Sequence, residues 1–242
     1  MNKKKMISAD LLKWIALITM FIDHIGAGIF EKSPVFMSEH YQIDYLFRSI
    51  GRLAFPIFCF LIVEGYDHTR SRFKYARNLL IFAFISEIPF DLLFKEKCID
   101  MGYQNVYFTL FIGLVTIIGM GYIEQKNLKA SLLLELFVAA FGAFIAYLMK
   151  TDYGEWGVVL IAVIFVTRRN RLAQCLLTVM FMITSPFYMN IAMIESLGAL
   201  SFILVGMYNG ERKGTINKYV FYSLYPAHIL LYCGIRYLCE RC

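Results

Sequence analysis

The stretch from Leu11 to Phe30 reads LLKWIALITMFIDHIGAGIF and is the clearest indication of the fold. A helix needs about 20 predominantly apolar residues to cross a bilayer, and this stretch has that length and character. The basic segment before it resembles the start of a signal peptide. Because the apolar stretch is long and lacks a small-residue cleavage site, we interpret it as a retained first transmembrane helix.

The composition of the whole chain supports a membrane protein. Of its 242 residues, 59% are hydrophobic and 17% are charged, against roughly 45–50% and about 25% in a soluble domain. This composition disfavours a disordered chain, a disulfide scaffold and a soluble α/β enzyme. We predict an all-α, polytopic transmembrane bundle forming one domain over residues 1–242. The nine predicted spans are 11–30, 46–66, 78–94, 105–122, 131–149, 155–167, 172–186, 190–207 and 219–238.

The distribution of positive charge predicts the orientation. With the N-terminus inside, the inner segments hold 15 lysines and arginines and the outer segments hold 6. Cytoplasmic loops carry such an excess, so we predict a multi-pass protein of the plasma membrane with a cytoplasmic N-terminus and an outer C-terminus. The formal net charge of +6 is spread over short loops, so the expected partner is the lipid bilayer and not nucleic acid.

Lys13 and His24 are eleven residues apart in the first span. At 100° per residue this spacing places both side chains on one helix face, about 16 Å apart along the axis. Lys13 then lies near the inner surface and His24 in the outer half, where a histidine is suited to general-base chemistry. The side chain of Asp23 points about 100° away, so we expect it to pair with another helix.

Further ionisable groups map to the same outer half. Arg48 and Arg52 are four residues apart in the second span, and Glu87 and Asp91 flank Pro89 in the third. Charges at this depth need partners, so we predict that the two carboxylates pair with the two arginines. Such a network either holds the helices together or lines a pocket beside the histidine.

Three sets of candidate residues follow from this map. The candidate catalytic group is His24, Asp23, Arg52 and Asn105. The pocket or structural network is Arg48, Glu87, Asp91 and Tyr107. A basic inner rim contains Lys13, Arg72, Lys74, Arg77 and residues 168–171. The rim is explained either by topology signalling or by docking of a phosphate-bearing polyanion. His228 in the last span is interpreted as a core residue, and Trp156 and Tyr153 as interface anchors.

Six polar islands within the apolar helices resemble the TraX family, which is named for a conjugative-pilin N-acetylase. They are LKWIALITMFIDHIG (12–26), GRLAFPIFCFLIVEGYDHT (51–69), SEIPFD (86–91), QNVYFTL (104–110), DYGEWGV (152–158) and YPAHILL (225–231). The resemblance covers most of the chain in the same order. TraX-like proteins are similar to integral-membrane acyltransferases, a class that includes O-antigen acetylases.

The resemblance implies an acyltransferase-like architecture and an acetyl-CoA-dependent activity. The class carries a basic residue, ten intervening residues and a histidine on its first helix, so Lys13 and His24 fit, and His24 is implied as the catalytic histidine. An Arg-x-x-Arg element of the class is associated with acyl-CoA. Here the match is Lys74-x-x-Arg77 with Arg72 before it, in which lysine replaces the first arginine.

The implied chemistry moves an acetyl or short acyl group from cytoplasmic acyl-CoA to an outer amine or hydroxyl. The acceptor is a peptide N-terminus, a glycan or a small amine. His24 deprotonates the acceptor or forms an acyl-histidine, and Arg52 or Asn105 stabilises the oxyanion. The cofactor-binding set is Lys13, Arg72, Lys74 and Arg77.

Three other classes compete with this reading. A proton-coupled transporter uses intramembrane carboxylates and histidines, but the chain shows no paired broken helices. A metal-dependent hydrolase would need ligands at helical spacing such as H-E-x-x-H, which are absent from the sequence, and no metal is expected. The terminal Cys239-x-x-Cys242 is a weak metal or redox signal. A purely structural membrane protein leaves the outer cluster unexplained.

Overall fold

A computed structural model describes residues 7–126, 131–189, 191–212, 214 and 217–239. Over these ranges the chain is all-helical, with no β-strand. The α-helices are α1 Ala9–Ile25, α2 Pro34–Gly51, α3 Ala54–His68, α4 Arg72–Phe90, α5 Val106–Lys126, α6 Ser131–Leu148, α7 Gly154–Val166, α8 Arg171–Thr184, α9 Ser201–Gly206 and α10 Lys218–Cys239. Two π-helical segments, Gly26–Phe30 and Asp91–Lys95, continue α1 and α4, and 3₁₀ segments cover Ser185–Phe187 and Met193–Leu200.

Four helical stretches are long and apolar enough to cross a membrane: Ala9–Phe30, Pro34–His68, Val106–Lys126 and Ser131–Leu148. Three shorter apolar helices lie at Gly154–Val166, Arg171–Phe187 and Met193–Gly206. The predicted helical membrane protein is therefore confirmed in its class. The lysines at positions 3 to 5 and residue Cys242, used above for orientation and for the C-x-x-C pair, lie outside the described residues.

The second helix begins earlier than predicted. The sequence analysis treated residues 31–45 as an outer loop, but α2 starts at Pro34. The Ser33 hydroxyl accepts a hydrogen bond from the Phe36 amide, and Pro34 occupies the first turn, which is a favoured helix start. The polarity of the segment concealed this signal. A non-helical backbone at His40 then kinks the helix.

The chain divides into two compact units. The first comprises Met1–Phe58, Ile88–Ile99 and Val179–Cys242, and the second comprises Cys59–Glu87 and Asp100–Thr178. The first unit contains α1, α2 and α10 together with both π-helical segments. Gly28 of the first π segment lies against Leu93 of the second, at a distance where an added Cβ would be 2.8 Å from the leucine side chain.

The second unit is built around α5, α6 and α7. These helices pack closely because glycines admit neighbouring side chains: an added Cβ at Gly142 would lie 2.0 Å from Thr116, and one at Gly113 would lie 2.3 Å from Ile161. Small residues at helix crossings are typical of membrane proteins. Trp156 lies in the first turn of α7 and is only 2% exposed. It is therefore a core residue and not the interface anchor that was predicted.

Candidate active site

His24 lies in the last turn of α1, directly before the π-helical segment Gly26–Phe30. Its Nδ1 is 2.7 Å from Nε2 of His228 on α10. The two imidazole rings stack with their centroids 4.9 Å apart. π-Helical turns are often found at functional sites. The structure thus joins the predicted histidine to a second one that the sequence analysis had assigned to the core.

Aromatic rings surround this histidine pair. Phe94 and Tyr225 lie edge-on to His24, with centroid distances of 5.3 and 5.9 Å. Phe21 and Tyr232 contact His228 at 4.5 and 5.4 Å. The Tyr232 hydroxyl also donates to the Phe21 carbonyl at 3.2 Å, which links α10 to α1. The pair is therefore held in an apolar setting by groups from three segments.

Lys13 and His24 share one face of α1, as predicted. Lys13 lies with its Nζ 5.9 Å from the centroid of Phe221 on α10, the helix that also carries His228. Its ammonium is 3.0 Å from Asp10, one turn earlier. The shared face is thus confirmed, while the binding of acyl-CoA by Lys13 stays a prediction.

Asp23 is the centre of a buried ion-pair network. One of its carboxylate oxygens accepts from both Arg48 and Arg52, each at 2.7 Å. Arg48 also pairs with Glu31 at 3.0 Å, and Arg52 pairs with Glu195. Asp23 points away from the histidine and toward another helix, as predicted.

The structure gives the two arginines partners that the sequence analysis did not include, Glu31 and Glu195 together with Asp23, and the predicted pairing with Glu87 and Asp91 stays a prediction. Arg52 is only 6% exposed, and its Nε donates to the Arg48 carbonyl at 3.1 Å. Its guanidinium thus faces the Arg48 carbonyl, Asp23 and Glu195. An oxyanion role for Arg52 would require it to leave one of these partners. Glu195 was missed because the 190–207 segment had been assigned as an ordinary span.

Gly51 allows Asp23 to reach the arginines. An added Cβ at Gly51 would lie 2.2 Å from the Asp23 side chain, so we expect Gly51→Ala to lower the free energy of unfolding by about 1–3 kcal/mol through overpacking. Gly234→Ala on α10 is the matched control, since nothing lies within 4 Å of its added Cβ. Denaturant unfolding in detergent should give a lower midpoint for Gly51→Ala than for Gly234→Ala. Equal midpoints for both variants would contradict this account of the contact.

Asn105 lies in the second unit and caps the start of α5. Its side-chain amide donates to the Ala83 carbonyl at 2.8 Å and to Glu87, while its Oδ1 accepts from the Tyr107 amide at 3.0 Å. A carboxamide has two N–H hydrogens, so stabilising an oxyanion would mean giving up one of these bonds. In this structure the Asn105 side chain therefore caps α5, and its catalytic role stays a prediction. Tyr107 follows it as a buried member of α5.

Three of the four predicted cofactor residues, Arg72, Lys74 and Arg77, lie near the start of α4. The Arg72 guanidinium stacks on the Tyr66 ring at 3.9 Å. Lys74 and Arg77 are exposed, and the Lys74 amide donates to the Ser71 hydroxyl at 3.3 Å. The exposed cationic side chains of Lys74 and Arg77 thus lie near the N-terminus of α4, where anions are favoured.

The other part of the basic rim is already neutralised. Arg168 pairs with Glu124 and lies 3.5 Å from Asp67, and its guanidinium stacks over Phe165. Arg171 pairs with Glu64 at 3.2 Å. These two arginines tie helix ends of the second unit together, and docking of a polyanion at the rim stays a prediction.

Asp91 opens the second π-helical segment and is fully buried. The end of this segment is tied to α10: Arg236 donates to the Leu93 carbonyl at 2.8 Å, and Lys32 pairs with Glu96 at 3.2 Å. The hydrogen bond and charge of Lys32 hold the pKa of the Glu96 carboxyl below its ordinary value. The carboxylate therefore stays ionised at neutral pH, and its contribution to stability is lost only as the pH falls through that lowered pKa.

Metal ligands are not grouped in the part of the chain that the structure describes, where no three His, Cys, Asp or Glu side chains come together. The structure instead defines a helical membrane protein that carries a stacked histidine pair beside a buried ion-pair network.

This chain belongs to the TraX family, whose model, described as "TraX protein", matches residues 8–236. It is 27% identical to the probable fimbrial assembly protein FimC, serogroup H1, of Dichelobacter nodosus, over 95% of this chain and 96% of that protein. It is also 30% identical to the uncharacterized protein RP591 of Rickettsia prowazekii (strain Madrid E), over 43% of this chain and 34% of that protein. No solved structure matches it.

Proposed function

We propose that this protein transfers an acetyl or short acyl group from cytoplasmic acetyl-CoA to an acceptor on the outer side of the plasma membrane. The observation that carries the proposal is the hydrogen-bonded imidazole of His24 at the end of α1. A histidine oriented by a second group is the usual arrangement of a general base. Membership of the TraX family supports the same reaction class.

In the proposed reaction, His24 takes a proton from the acceptor amine or hydroxyl as its nitrogen or oxygen attacks the thioester carbonyl carbon. The C–S bond then breaks, and the coenzyme A thiolate takes the proton from the imidazolium. The similarity to a fimbrial assembly protein supports the N-terminal amine of a pilin-like subunit as the acceptor. An acyl-histidine intermediate is the alternative route.

The proposal includes the membrane arrangement expected from the sequence. The N-terminus is cytoplasmic, and the nine-span, acyltransferase-like bundle comprises the four long stretches, the three shorter apolar helices, α4 and α10. Arg72, Lys74 and Arg77 at the start of α4 then face the cytoplasm and hold the phosphates of acetyl-CoA, and Lys13 is the fourth residue of the proposed donor-binding set. Asp23, Arg48 and Arg52 support the helix that carries the base.

The test uses purified full-length protein in lipid vesicles with radiolabelled acetyl-CoA. The acceptors are a peptide with the free N-terminus of a pilin subunit, the same peptide with a blocked N-terminus, and a hydroxyl-bearing glycan. Label transferred to one acceptor supports the proposal, as does label trapped on His24. Absence of transfer, self-labelling and hydrolysis with every acceptor overturns it. Proton-dependent solute flux without acetyl-CoA would favour the transporter class instead.

The cofactor assignment predicts a charge effect on binding. The double variant Lys74→Glu and Arg77→Glu should raise the KM for acetyl-CoA by about tenfold or more with kcat little changed, because phosphate contacts far from the thioester contribute mainly to binding. Lys97→Glu, another exposed lysine, is the control and should leave KM unchanged. Steady-state kinetics at fixed acceptor decide the point, and equal KM values for both variants would remove the α4 residues from the donor site.

A further inference from the structure

The nitrogen atoms of the histidine pair can be assigned as donors or acceptors from their partners. Nδ1 of His228 is 2.7 Å from the Leu224 carbonyl oxygen, one turn earlier in α10. A carbonyl oxygen only accepts hydrogen bonds, so Nδ1 of His228 carries the proton. In a neutral imidazole the other nitrogen, Nε2, then has a lone pair and accepts.

The same reasoning extends to His24. Its Nδ1 is 2.7 Å from Nε2 of His228, and a contact of this length between two nitrogens needs one donor and one acceptor. Because Nε2 of His228 accepts, Nδ1 of His24 carries the proton. The lone pair of His24 is thereby placed on Nε2, the nitrogen on the far side of the ring.

We propose that His228 is the positioning residue that holds His24 in the Nδ1-protonated tautomer and so presents Nε2 as the basic atom. This inference rests on the proposed function, in which His24 is the base. It adds a chain of two hydrogen bonds, from the Leu224 carbonyl through His228 to His24. This chain orients the His24 ring and fixes its tautomer, a role usually filled by a carboxylate.

Asp23 is not the orienting group, although it is adjacent in sequence. Its carboxylate is bound by Arg48 and Arg52 on another helix. The ring of His228, in contrast, is fixed by stacking on His24 and by contacts with Phe21, Tyr225 and Tyr232. Packing and hydrogen bonding therefore leave His228 one orientation, with Nε2 toward His24.

Two substitutions separate orientation from simple packing. In His228→Gln the carboxamide oxygen reaches the place of Nε2 and can still accept from His24. In His228→Asn the shorter side chain can still donate to the Leu224 carbonyl but no longer reaches His24. Both replacements are polar and smaller than histidine, so a purely structural role predicts similar behaviour for the two.

The direct measurement is ¹⁵N NMR of histidine-labelled protein in lipid nanodiscs. The chain has four histidines, so His24 can be assigned by comparison with single variants. We expect the Nδ1–H tautomer of His24 to dominate in the wild type and in His228→Gln, and a tautomer mixture to appear in His228→Asn. A wild-type His24 in the Nε2–H form, or a tautomer that His228→Asn leaves unchanged, overturns the proposal.

Kinetics give a second readout once transfer has been measured. His228→Asn should lower kcat on the order of 100-fold with the KM for acetyl-CoA unchanged, and His228→Gln should restore most of that loss. Equal losses in both variants would overturn the orienting role. A wild type that transfers no acetyl group would refute the proposed function, while the NMR result would still decide the tautomer.

Discussion

Replacing His24 with asparagine should lower the rate of acetyl transfer by about 10²–10⁴-fold. The asparagine amide occupies the place of the histidine Nδ1 and can still donate to Nε2 of His228, so the contact at 2.7 Å in the wild type has a substitute. What the variant lacks is any group at the position of Nε2. The loss therefore reports the chemistry of the base and not the loss of the helix contact.

The measurement compares single-turnover transfer of labelled acetyl groups by wild type, His24→Asn and His24→Ala. We expect both variants to show this loss of rate while keeping the circular dichroism spectrum and an unfolding midpoint close to that of the wild type. His24→Ala should be somewhat less stable, because it leaves His228 without its His24 hydrogen bond. His40→Gln is the matched control, because the His40 side chain is half exposed on α2. Normal turnover by His24→Asn would remove this histidine from the mechanism.

Replacing Arg52 with methionine should lower the free energy of unfolding by about 3–5 kcal/mol. Arg52 is 6% exposed and neutralises two carboxylates, those of Asp23 and Glu195, whose side chains are 11% and 15% exposed. Methionine fills much of the same volume but supplies no charge. The variant therefore leaves the buried Glu195 carboxylate without its ion-pair partner, while Asp23 keeps only Arg48.

Arg169→Met is the matched control for this experiment. Arg169 makes an ion pair of similar length, 2.8 Å to Glu124, but its side chain is 77% exposed, and exposed pairs contribute only about 0–1 kcal/mol. Denaturant titration in detergent micelles measures both variants. Adding Glu195→Gln to Arg52→Met should recover part of the loss, since it removes the charge of the carboxylate that lost its ion-pair partner. Similar unfolding midpoints for Arg52→Met and Arg169→Met would contradict the structural role of the network.

Several features could be predicted because they depend on local periodicity. The apolar stretches identified a helical membrane protein, since a bilayer imposes length and composition on each crossing. The eleven-residue spacing placed Lys13 and His24 on one face, because helix geometry repeats at a fixed angle. The different directions of the Asp23 and His24 side chains followed from the same rotation of 100° per residue. The polar islands within the helices also carried the family resemblance over most of the chain.

Other features depend on which helix packs against a given face. The spacing of residues within one helix does not predict that neighbour. The partners of Arg48 and Arg52 were predicted from matching depth, yet the folded chain supplies Glu31 and Glu195 together with Asp23. Carboxylates at similar depth are equivalent as charges, so depth alone does not choose among them. The partner is instead chosen by which helices pack closely together, as at the contact between Gly51 and Asp23.

The order of residues along the chain is enough to show that this protein is helical and apolar, with a lysine-to-histidine face on its first helix. Only the tertiary structure placed His228 beside His24, across 204 positions of the chain, and engaged Asn105 in capping α5 and binding Glu87. The physical reason is that a helix specifies the direction of its own side chains, whereas the partner in that direction depends on how the helices pack.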